Sequence, residues 1–557
     1  VGFGLAALDD STLVSADGKE QLYLIDRATG TLKRSLTTPV PLTGGLAVAA
    51  NGTLYAISGN SVGRVDLETG GFTPLAKDLD TPKMLACDAE GNLFVSLQGQ
   101  TMQVWKLAPD GKVLQRFGKA GGRPALGKYD PAGMLRPFGI AVDKHARLWV
   151  CENDREPKRY SVWQADGTLW REFFGSWPYS TAGYFDPHDP DYFYALAVRY
   201  KLDYEQGTWQ TDANILRPFE AGGVSFPAPM SAHVVNVHGG GQIVAHQGRK
   251  FLRTEATLFE EVGDRWLPRL AIYTAAVEET PIGKDGKPGK PRKVKKSMFW
   301  LDANHDGQVQ AEEQTPAGER QPSGRTLTMD NQLNLYTNQG DSWTEPRAEG
   351  RSRTPFAVRK LAFLGFGERG ELRYAEAFET VVEDAEGGAV NGLAVDAEGA
   401  IYALVSGGLI GRGERAQNTG ARIVKYGPDG RELWRYANVH VGFAWTSATY
   451  TPGFVVAAFR LSNASHPTLL PITGYYGQYF LLDKETGLFV DALGQDQRSA
   501  YTMDHSMVLT ENFNGNIFQH PKTGKTYFTG GDADCRIWEL TGLDRLERRR
   551  VPLSVDA

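Results

Sequence analysis

A thirteen-residue pattern returns four times in clear form along the chain. Each copy reads as an apolar strand, a short polar turn and a second strand of aliphatic and aromatic residues. The copies are GLAVAANGTLYAI (45–57), MLACDAEGNLFVS (84–96), GIAVDKHARLWVC (139–151) and GLAVDAEGAIYAL (392–404). A repeated unit constrains the fold strongly, because each unit needs neighbours to bury its apolar face. The glycine, aspartate and asparagine turns predict antiparallel hairpins.

Weaker copies of this pattern fill the intervals between the clear ones. They lie at 4–16, 185–197, 234–246, 326–338, 446–458 and 517–530. A second pattern, strand, Asp-containing turn and strand, follows many of the copies, as in YLIDRATGTLKRSL and FLLDKETGLFVDAL. The two patterns together predict four antiparallel strands per unit. Such small sheets cannot enclose a core alone, and packing them face to face around an axis gives a β-propeller.

The best local match to a known repeat is LRPFGIAVDKHARLWVCEN (135–153), which resembles the NHL and SMP-30-like propeller repeats. The D-x-x-T-G turns also resemble those of quinoprotein-type propellers. The resemblance covers most of the chain as repeats, and it implies a fold but no activity. We therefore expect an all-β protein whose residues 1–557 form one large β-propeller of about 7–10 four-stranded blades. Two smaller propellers are the alternative.

The repeats differ in regularity along the chain. Regular blades are expected at about 1–175 and 386–440, irregular blades at 176–250 and 441–557, and an insertion at 251–325. The irregular blades carry most of the histidines, and they are enriched in aromatic residues. We therefore expect function to lie in the irregular blades, beside the insertion.

Composition excludes some classes of protein. The formal net charge is −6, so no global basic field would attract nucleic acid, and we expect no nucleic-acid partner. No apolar run has the length of a membrane span. The three cysteines define neither a metal-binding spacing nor a disulfide framework. Because the chain begins at Val1 without methionine, we expect that an N-terminal segment has been removed. The oligomeric state stays open.

One motif with defined chemistry lies within the expected insertion. DANHDGQVQAEE (302–313) fits the EF-hand calcium loop, with Gly307 at the sharp turn. The expected oxygen ligands are Asp302, Asn304, Asp306, Gln308 (through its carbonyl) and Glu313. The flank SMFWL predicts a strand where a paired EF-hand would have a helix. We therefore expect a structural calcium site, which suits an extracellular or periplasmic protein.

Histidines form the second candidate site. His233, His238, His440 and His505 fall near the ends of expected innermost strands, which line the central channel of a propeller. Imidazoles that converge there could bind a transition metal such as zinc, manganese, iron or copper. The alternative is that these histidines are separate, each hydrogen-bonded at the end of its own strand.

An aromatic and charged stretch at 177–209 forms the third candidate site. Aromatic rings stack on sugars, and arginine pairs with uronic carboxylates. A tyrosine near a histidine could act as acid and base in β-elimination. The alternative is an atypical blade with an aromatic core. The catalytic candidates are His233, His238, His505, Tyr194 and Arg199.

The sequence is compatible with three functions. The first is an enzyme acting on polysaccharide, a lyase or hydrolase with its site at one end of the channel. The second is a non-catalytic propeller that binds glycan or protein. The third is a redox or cofactor propeller, which only the D-x-x-T-G turns favour. The fold alone does not decide among them.

Overall fold

A computed structural model places most of the chain and divides it into two compact units, Val1–Ser176 and Trp177–Ala557, each of which is described by itself. The structure describes residues 4–154, 157–175, 183–195, 198–216, 241–254, 257–281, 287, 289–317, 327–339, 355–406, 409–410, 417–418, 421–441, 455–474, 477–494, 515–531 and 535–547.

The described residues of the first unit form four sheets, and each sheet has four antiparallel strands in the order of the sequence. Sheet one comprises β1 (Gly4–Ala7), β2 (Thr12–Ala16), β3 (Gln21–Asp26) and β4 (Leu32–Thr37). Sheet two comprises β5 (Leu46–Val48), β6 (Leu54–Ser58), β7 (Ser61–Val65) and β8 (Phe72–Ala76). Sheet three comprises β9 (Pro82–Cys87), β10 (Leu93–Leu97), β11 (Gln103–Leu107) and β12 (Val113–Phe117). After the short β13 (Gly127–Lys128), sheet four comprises β14 (Pro137–Val142), β15 (Leu148–Glu152), β16 (Arg159–Trp163) and β17 (Leu169–Phe174).

Three apolar cores join these four sheets in sequence order. Leu22 of sheet one packs with Leu54 of sheet two, and Ile57 of sheet two belongs to one core with Val95 of sheet three. A third core contains Phe94, Phe117 and Trp163, among others, and joins sheets three and four. Each sheet therefore buries apolar side chains against its neighbour, which is the packing that a propeller-like repeat requires.

The second unit contains six larger sheets and two small hairpins within its described residues. Sheet five comprises β18 (Tyr184–Phe185), β19 (Tyr192–Ala195), β20 (Val198–Asp203) and β21 (Thr208–Asn214). Sheet six comprises β22 (Gln242–His246), β23 (Arg249–Arg253), β24 (Thr257–Val262), β25 (Arg265–Glu279), β26 (Arg292–Leu301) and β27 (Gln314–Pro316). Sheet seven comprises β28 (Thr328–Met329), β29 (Leu335–Gln339), β30 (Phe356–Leu361) and β33 (Glu379–Asp384), with the hairpin β31 (Phe363–Phe366) and β32 (Leu372–Tyr374) between its last two strands.

The remaining three sheets of this unit follow the same chain order. Sheet eight comprises β34 (Ala389–Val395), β35 (Ile401–Ser406), β38 (Arg422–Tyr426) and β39 (Glu432–Tyr436), with the hairpin β36 (Leu409–Ile410) and β37 (Gln417–Asn418) in its middle. Sheet nine comprises β40 (Val439–Val441), β41 (Val455–Leu461), β42 (Leu469–Gly474), β43 (Tyr479–Asp483) and β44 (Phe489–Leu493), and β40 is parallel to β41. Sheet ten comprises β45 (Asn516–Gln519), β46 (Thr526–Gly530) and β47 (Arg536–Leu540), followed by one 3₁₀ turn at Leu543–Arg545.

Apolar cores also join the sheets of the second unit in sequence order. Four of them lie between sheets six and seven, seven and eight, eight and nine, and nine and ten. A fifth core joins sheets five and six, and it also contains Phe518 and Tyr527 of sheet ten. The ring of Phe518 stacks on Phe185 of sheet five with centroids 4.9 Å apart, and Tyr527 lies 4.7 Å from Tyr204. The last sheet of the unit therefore packs against the first.

The recurring turn residues have a defined structural role. In three of the repeat turns, Oδ1 of the aspartate accepts a backbone N–H four residues further on, at 2.9 to 3.0 Å. Oδ2 of the same carboxylate accepts a hydrogen bond from an aromatic donor six residues on. The pairs are Asp143 with Trp149 (3.0 Å), Asp330 with Tyr336 (2.9 Å) and Asp396 with Tyr402 (2.8 Å). One carboxylate thus closes the turn and fixes the following strand.

The D-x-x-T-G turns use a related device. Oδ1 of Asp26, Asp66 and Asp483 accepts the N–H of the threonine three residues on, at 2.8 to 2.9 Å. In the equivalent HPKTG turn His520 takes the place of the aspartate. Its Nδ1 accepts the N–H groups two and three residues on, at 3.2 and 3.4 Å. The imidazole therefore replaces a carboxylate as the acceptor of this turn.

The structure confirms the all-β class and the four-stranded antiparallel sheets that the two sequence patterns predict. Residues 251–325, expected as an insertion, contribute strands β23–β27 of sheet six where the structure describes them. The described part of the chain has no α-helix, and it contains no helix with the length and apolarity that crossing a bilayer requires. A single ring of blades across the whole chain stays a prediction.

Candidate functional site

Most of the predicted histidine site lies outside the part of the chain that the structure describes. His233, His238 and His505 fall outside the described residues. His440 lies in β40 and is half-buried, and this burial lowers the pKa of its imidazole. Within the described residues, no three His, Cys, Asp or Glu side chains come together as a metal-binding group. The convergence of the histidines on a transition metal stays a prediction.

The structure brings the other two catalytic candidates together in sheet five. Tyr194 of β19 and Arg199 of β20 are direct cross-strand partners. The Tyr194 ring is fully buried and stacks on Tyr184 with centroids 5.6 Å apart. Its hydroxyl lies 3.4 Å from Oδ2 of Asp186, and burial raises the pKa of this phenol. Tyr194 therefore belongs to the aromatic core of this sheet.

Arg199 is surrounded by carboxylates. Its guanidinium contacts Asp212 at 2.6 Å, Asp264 at 2.8 Å and Glu261 at 3.2 Å. Burial opposes the charge, but Asp212 and the other carboxylates raise the pKa of Arg199 above its usual value. Lys250 extends this network, since it contacts Glu261 and, at 2.6 Å, Asp186. These ion pairs connect sheets five and six.

The predicted calcium loop forms a compact turn after β26. Oδ1 of Asp302 and Oδ1 of Asn304 both accept the N–H of Asp306, at 3.1 and 3.0 Å, so these two ligand oxygens lie side by side. Gly307 has φ +72°, a left-handed conformation that suits glycine. Oε1 of Glu313 accepts the N–H groups of residues 303 and 304, at 2.9 and 3.3 Å. The last ligand of the motif therefore folds back onto its start.

The side chains around the loop set its charge. The guanidinium of Arg269 contacts Oδ2 of Asp302 at 2.5 Å and Glu260 at 2.7 Å. Burial opposes the ionisation of Glu260, yet hydrogen bonds from Arg249, Arg269 and His305 lower its pKa to about 2. Among the described residues, Asp306 and Glu313 form no ion pair with a cation. Burial opposes the ionisation of Asp306, but hydrogen bonds from Gln308 and Gln310 lower its pKa. The loop thus keeps anionic oxygens besides the neutralised Asp302.

The loop has the residue types that calcium uses as ligands, since carboxylate, amide and carbonyl oxygens are what this hard cation prefers. Its three carboxylates, on Asp302, Asp306 and Glu313, do not come together as one metal-binding group in the structure. Oxygens of Asp302, Asn304 and Glu313 accept N–H groups of the same turn. The second oxygen of Asp302 contacts Arg269, and that of Glu313 accepts the indole N–H of Trp300. The ion would add charge neutralisation to a segment that connects β26 with β27.

A site that the sequence did not single out lies on sheet four. One side of this sheet carries aromatic rings alternating with arginines. We call it the aromatic–arginine face, and it comprises Arg147, Trp149, Tyr160, Trp170, Arg171 and Phe173. Tyr160 is 48% exposed, Trp170 43% and Phe173 40%. The opposite side of the sheet contributes Leu148, Val150 and Trp163 to the core with sheet three.

The rings and cations of this face contact one another. Trp149 and Phe173 are stacked, with centroids 5.8 Å apart and planes 10° from parallel. The Arg147 guanidinium lies 4.4 Å from the Trp170 ring centroid, and that of Arg171 lies 5.3 Å from it. Asp143 neutralises Arg147 at 2.8 Å, whereas Arg171 is exposed and has no ion pair among the described residues. The face therefore presents ordered rings and one uncompensated guanidinium.

The aromatic residues of LWREFF (169–174) indicate such a face, but a β-bulge in this strand breaks the alternation from which the face could be predicted. The register shifts between Val162 and Trp163, where β16 pairs with β17. Trp170 is the additional residue, so strict alternation along β17 assigns it to the wrong side. The cross-strand pairing of Tyr160 with Phe173 shows that these two rings lie on the same face of the sheet.

Together these features describe an all-β protein of propeller-like sheets with an ordered, solvent-exposed aromatic surface. No family model matches the chain, and no curated protein matches it. Among solved structures, the chain is similar to "Kuenenia stuttgartiensis Hydrazine Synthase" at 12% identity, over 72% of this chain and 92% of that chain, with a TM-score of 0.26. A similarity at this level assigns neither fold nor activity.

Proposed function

We propose that residues 177–557 form a six-bladed propeller, with sheets five to ten as its blades. The support is the order of the cores: each sheet packs on the next, and sheet ten packs on sheet five through Phe185 and Phe518. A ring of sheets needs this last contact, because a row of sheets would leave two outer faces uncovered. This arrangement is the smaller-propeller alternative that the repeats allow.

The function that this geometry supports best is non-catalytic binding of glycan. The observation that carries the proposal is the aromatic–arginine face of sheet four. Ring faces such as those of Trp170 and Phe173 stack on the apolar faces of sugar rings, and the exposed guanidinium of Arg171 pairs with a carboxylate in two hydrogen bonds. Phe173 is held by stacking on Trp149, and Trp170 by the guanidinium groups of Arg147 and Arg171, so both rings lose little conformational freedom on binding.

Affinity electrophoresis tests this proposal with soluble glycans in the gel. The double variant W170A/F173A should lose most of the retardation that neutral glucan, galactan and polygalacturonate cause. The matched control is L5A/L32A, which removes two exposed leucines, 64% and 58% exposed, from the same unit. Equal retardation of both variants and of the wild-type protein would exclude the face as a glycan site. If the face binds a protein partner and no glycan, it is likewise excluded as a glycan site.

We also propose that the loop at 302–313 binds calcium as a structural ion. The support is the ligand pattern of the loop, the adjacent oxygens of Asp302 and Asn304 and the left-handed turn at Gly307. Isothermal titration of the chelator-treated protein should give one site, which D306N or E313Q weakens. The control is D429N, which changes an exposed aspartate of another turn. If chelator-treated protein binds no calcium in the millimolar range, this proposal is wrong.

The prediction of a polysaccharide lyase or hydrolase has a direct assay. A screen with acidic and neutral polysaccharides would follow new reducing ends and the absorbance of unsaturated uronates. Retained binding without turnover supports the binding function. Turnover that R199A abolishes, in a variant whose folding is intact, would instead support the enzyme. An extracellular or periplasmic location follows from either function and stays a prediction.

A further inference from the structure

The longest strand pair in the described chain is β25 with β26, and half of it lies beyond its sheet. Strand β24 pairs with β25 only as far as Ala271, and β27 pairs with β26 only at 298–300. The six pairs from Thr274 with Ser297 to Glu279 with Arg292 therefore join these two strands alone. At 3.3–3.4 Å per residue this two-stranded ribbon is about 20 Å long.

The ribbon carries a charge opposite to that of the whole protein. Residues 278–297 include seven basic and three acidic residues, whereas the chain has a formal net charge of −6. The described basic residues of this segment are all exposed. They are Lys287, Lys290, Arg292, Lys293, Lys295 and Lys296.

The register shows which of these cations lack compensation. Arg292 stands opposite Glu279, and Lys293 stands opposite Glu278. Lys295 and Lys296 stand opposite alanines, and Lys296 reaches Glu279 only at 3.3 Å, where both side chains are 43% exposed. Glu279 therefore forms an ion pair with Lys296 and also stands opposite Arg292, whereas Lys295 forms no ion pair among the described residues. Because successive side chains point to opposite faces of a ribbon, cations lie on both of its faces.

The remaining side chains of the ribbon restrict what it can bind. Its described residues include no aromatic ring on which the bases of a single-stranded nucleic acid could stack. They include no tryptophan, phenylalanine or leucine to enter a membrane interface. Lysines on an exposed strand also prevent its edge from pairing with another chain. The ribbon carries more basic residues than this protective role requires.

We infer that the ribbon β25–β26 binds an anionic polysaccharide, one that bears carboxylate or sulfate groups along its chain. Such a polymer needs only a row of exposed cations that tracks it, and it gives charge complementarity without stacking. The inference rests on the proposed glycan binding for the class of ligand, but its residues are separate from the aromatic–arginine face. It narrows the proposed ligand from glycans in general to glycans that carry negative charge.

The test compares two triple variants of the full chain that change the net charge equally. K293Q/K295Q/K296Q alters the ribbon, and K77Q/K112Q/K144Q alters exposed lysines elsewhere. Binding to polygalacturonate, dextran sulfate, neutral glucan and double-stranded DNA is measured at two salt concentrations. The ribbon variant should bind both acidic glycans more than about tenfold more weakly than the control, and the difference should shrink at high salt. Binding to neutral glucan should be the same for both variants.

The remaining outcomes separate the two proposals. Equal weakening in both triple variants would mean that only net charge matters, and it would overturn the inference. Tighter binding to DNA than to either acidic glycan would also overturn it, in favour of a nucleic-acid partner. If the ribbon variant matches wild type while W170A/F173A loses glycan binding, the inference fails and the proposed function stands. If the ribbon variant loses binding to acidic glycans while W170A/F173A binds all glycans as the wild type does, the aromatic–arginine proposal fails instead.

Discussion

The hydroxyl of Tyr402 donates a hydrogen bond to Oδ2 of Asp396 at 2.8 Å, and the Lys484 ammonium lies 3.4 Å from the same oxygen. All three side chains are buried, at the boundary between sheets eight and nine. Burial and the carboxylate together raise the pKa of the Tyr402 phenol, which therefore stays a donor. One turn carboxylate thus connects its own sheet to the next.

Removal of that donor should destabilise the protein. Tyr402→Phe leaves Asp396 with one fewer buried partner, and hydrogen bonds to charged groups contribute about 1.5–3 kcal/mol. We expect the free energy of unfolding to fall by this amount in urea denaturation. Tyr23→Phe is the control, since Tyr23 is half-buried, and its change should stay within about 0.5 kcal/mol. Equal effects of the two substitutions would contradict this role for the turn.

A buried histidine should make stability depend on pH. Nδ1 of His466 accepts the N–H groups of Thr468 and Leu469, at 3.2 and 3.1 Å. Burial, with Lys484 nearby, lowers the pKa of His466 to about 4 from a usual 6.5. Because the folded-state pKa is lower, the unfolded chain binds more protons between these values. Stability is therefore full above about pH 6.5 and falls as the pH decreases toward 4, by at most about 3 kcal/mol.

The variant His466→Asn separates this effect from general acid unfolding. The asparagine oxygen can accept the same N–H groups but does not titrate. The slope of unfolding free energy against pH should flatten between pH 6.5 and 4 in this variant. His145→Asn, at an exposed position, should leave the slope unchanged. An unchanged slope in His466→Asn would show that His466 is not the titrating group.

The left-handed turn of the calcium loop gives a third prediction. Gly307→Ala forces a β-carbon into φ +72° and places it 3.3 Å from the Leu267 side chain. We expect a loss of at least about 1 kcal/mol and a smaller rise in Tm on addition of calcium. Gly263→Ala has a similar φ, +62°, and open space around it. It should cost stability but keep the full calcium-dependent rise in Tm, measured by scanning calorimetry.

Contact between the first and last sheets of the second unit gives a fourth prediction. Phe518 is 7% exposed, so Phe518→Ala should cost about 3–5 kcal/mol in that unit. Hydrogen exchange should show faster exchange in sheets five and ten and no change in sheets one to four. Leu364→Ala, at a residue 66% exposed, should change neither. A cost below about 1 kcal/mol for Phe518→Ala would argue against a closed ring.

Local features of the fold follow from the sequence, because they depend on neighbouring residues. The hairpins, their glycine turns and the turn aspartates such as Asp396 are visible in the repeat itself. The place of His520 in an Asp-type turn is visible when HPKTG is set beside DKETG. These interactions span two to six residues, so spacing alone predicts them.

Contacts between sheets could not be predicted in the same way. Nothing near Arg199 in the sequence indicates that Glu261 and Asp264, from the next sheet, would occupy its guanidinium. The bulge beside Trp163 likewise decides which aromatic residues of β17 share a surface, and no local signal marks it. To predict side-chain partners from distant strands, one must know the register of every strand between them.

The stacking of Phe185 on Phe518 also bears on how the second unit folds. These rings are separated by almost the whole of that unit, so their contact closes a very long loop. Contacts of such sequence separation form late and slow the search for the native state. During synthesis, the part of sheet five that packs on sheet ten, such as Phe185, stays uncovered until sheet ten has left the ribosome, and it is exposed to aggregation throughout that interval.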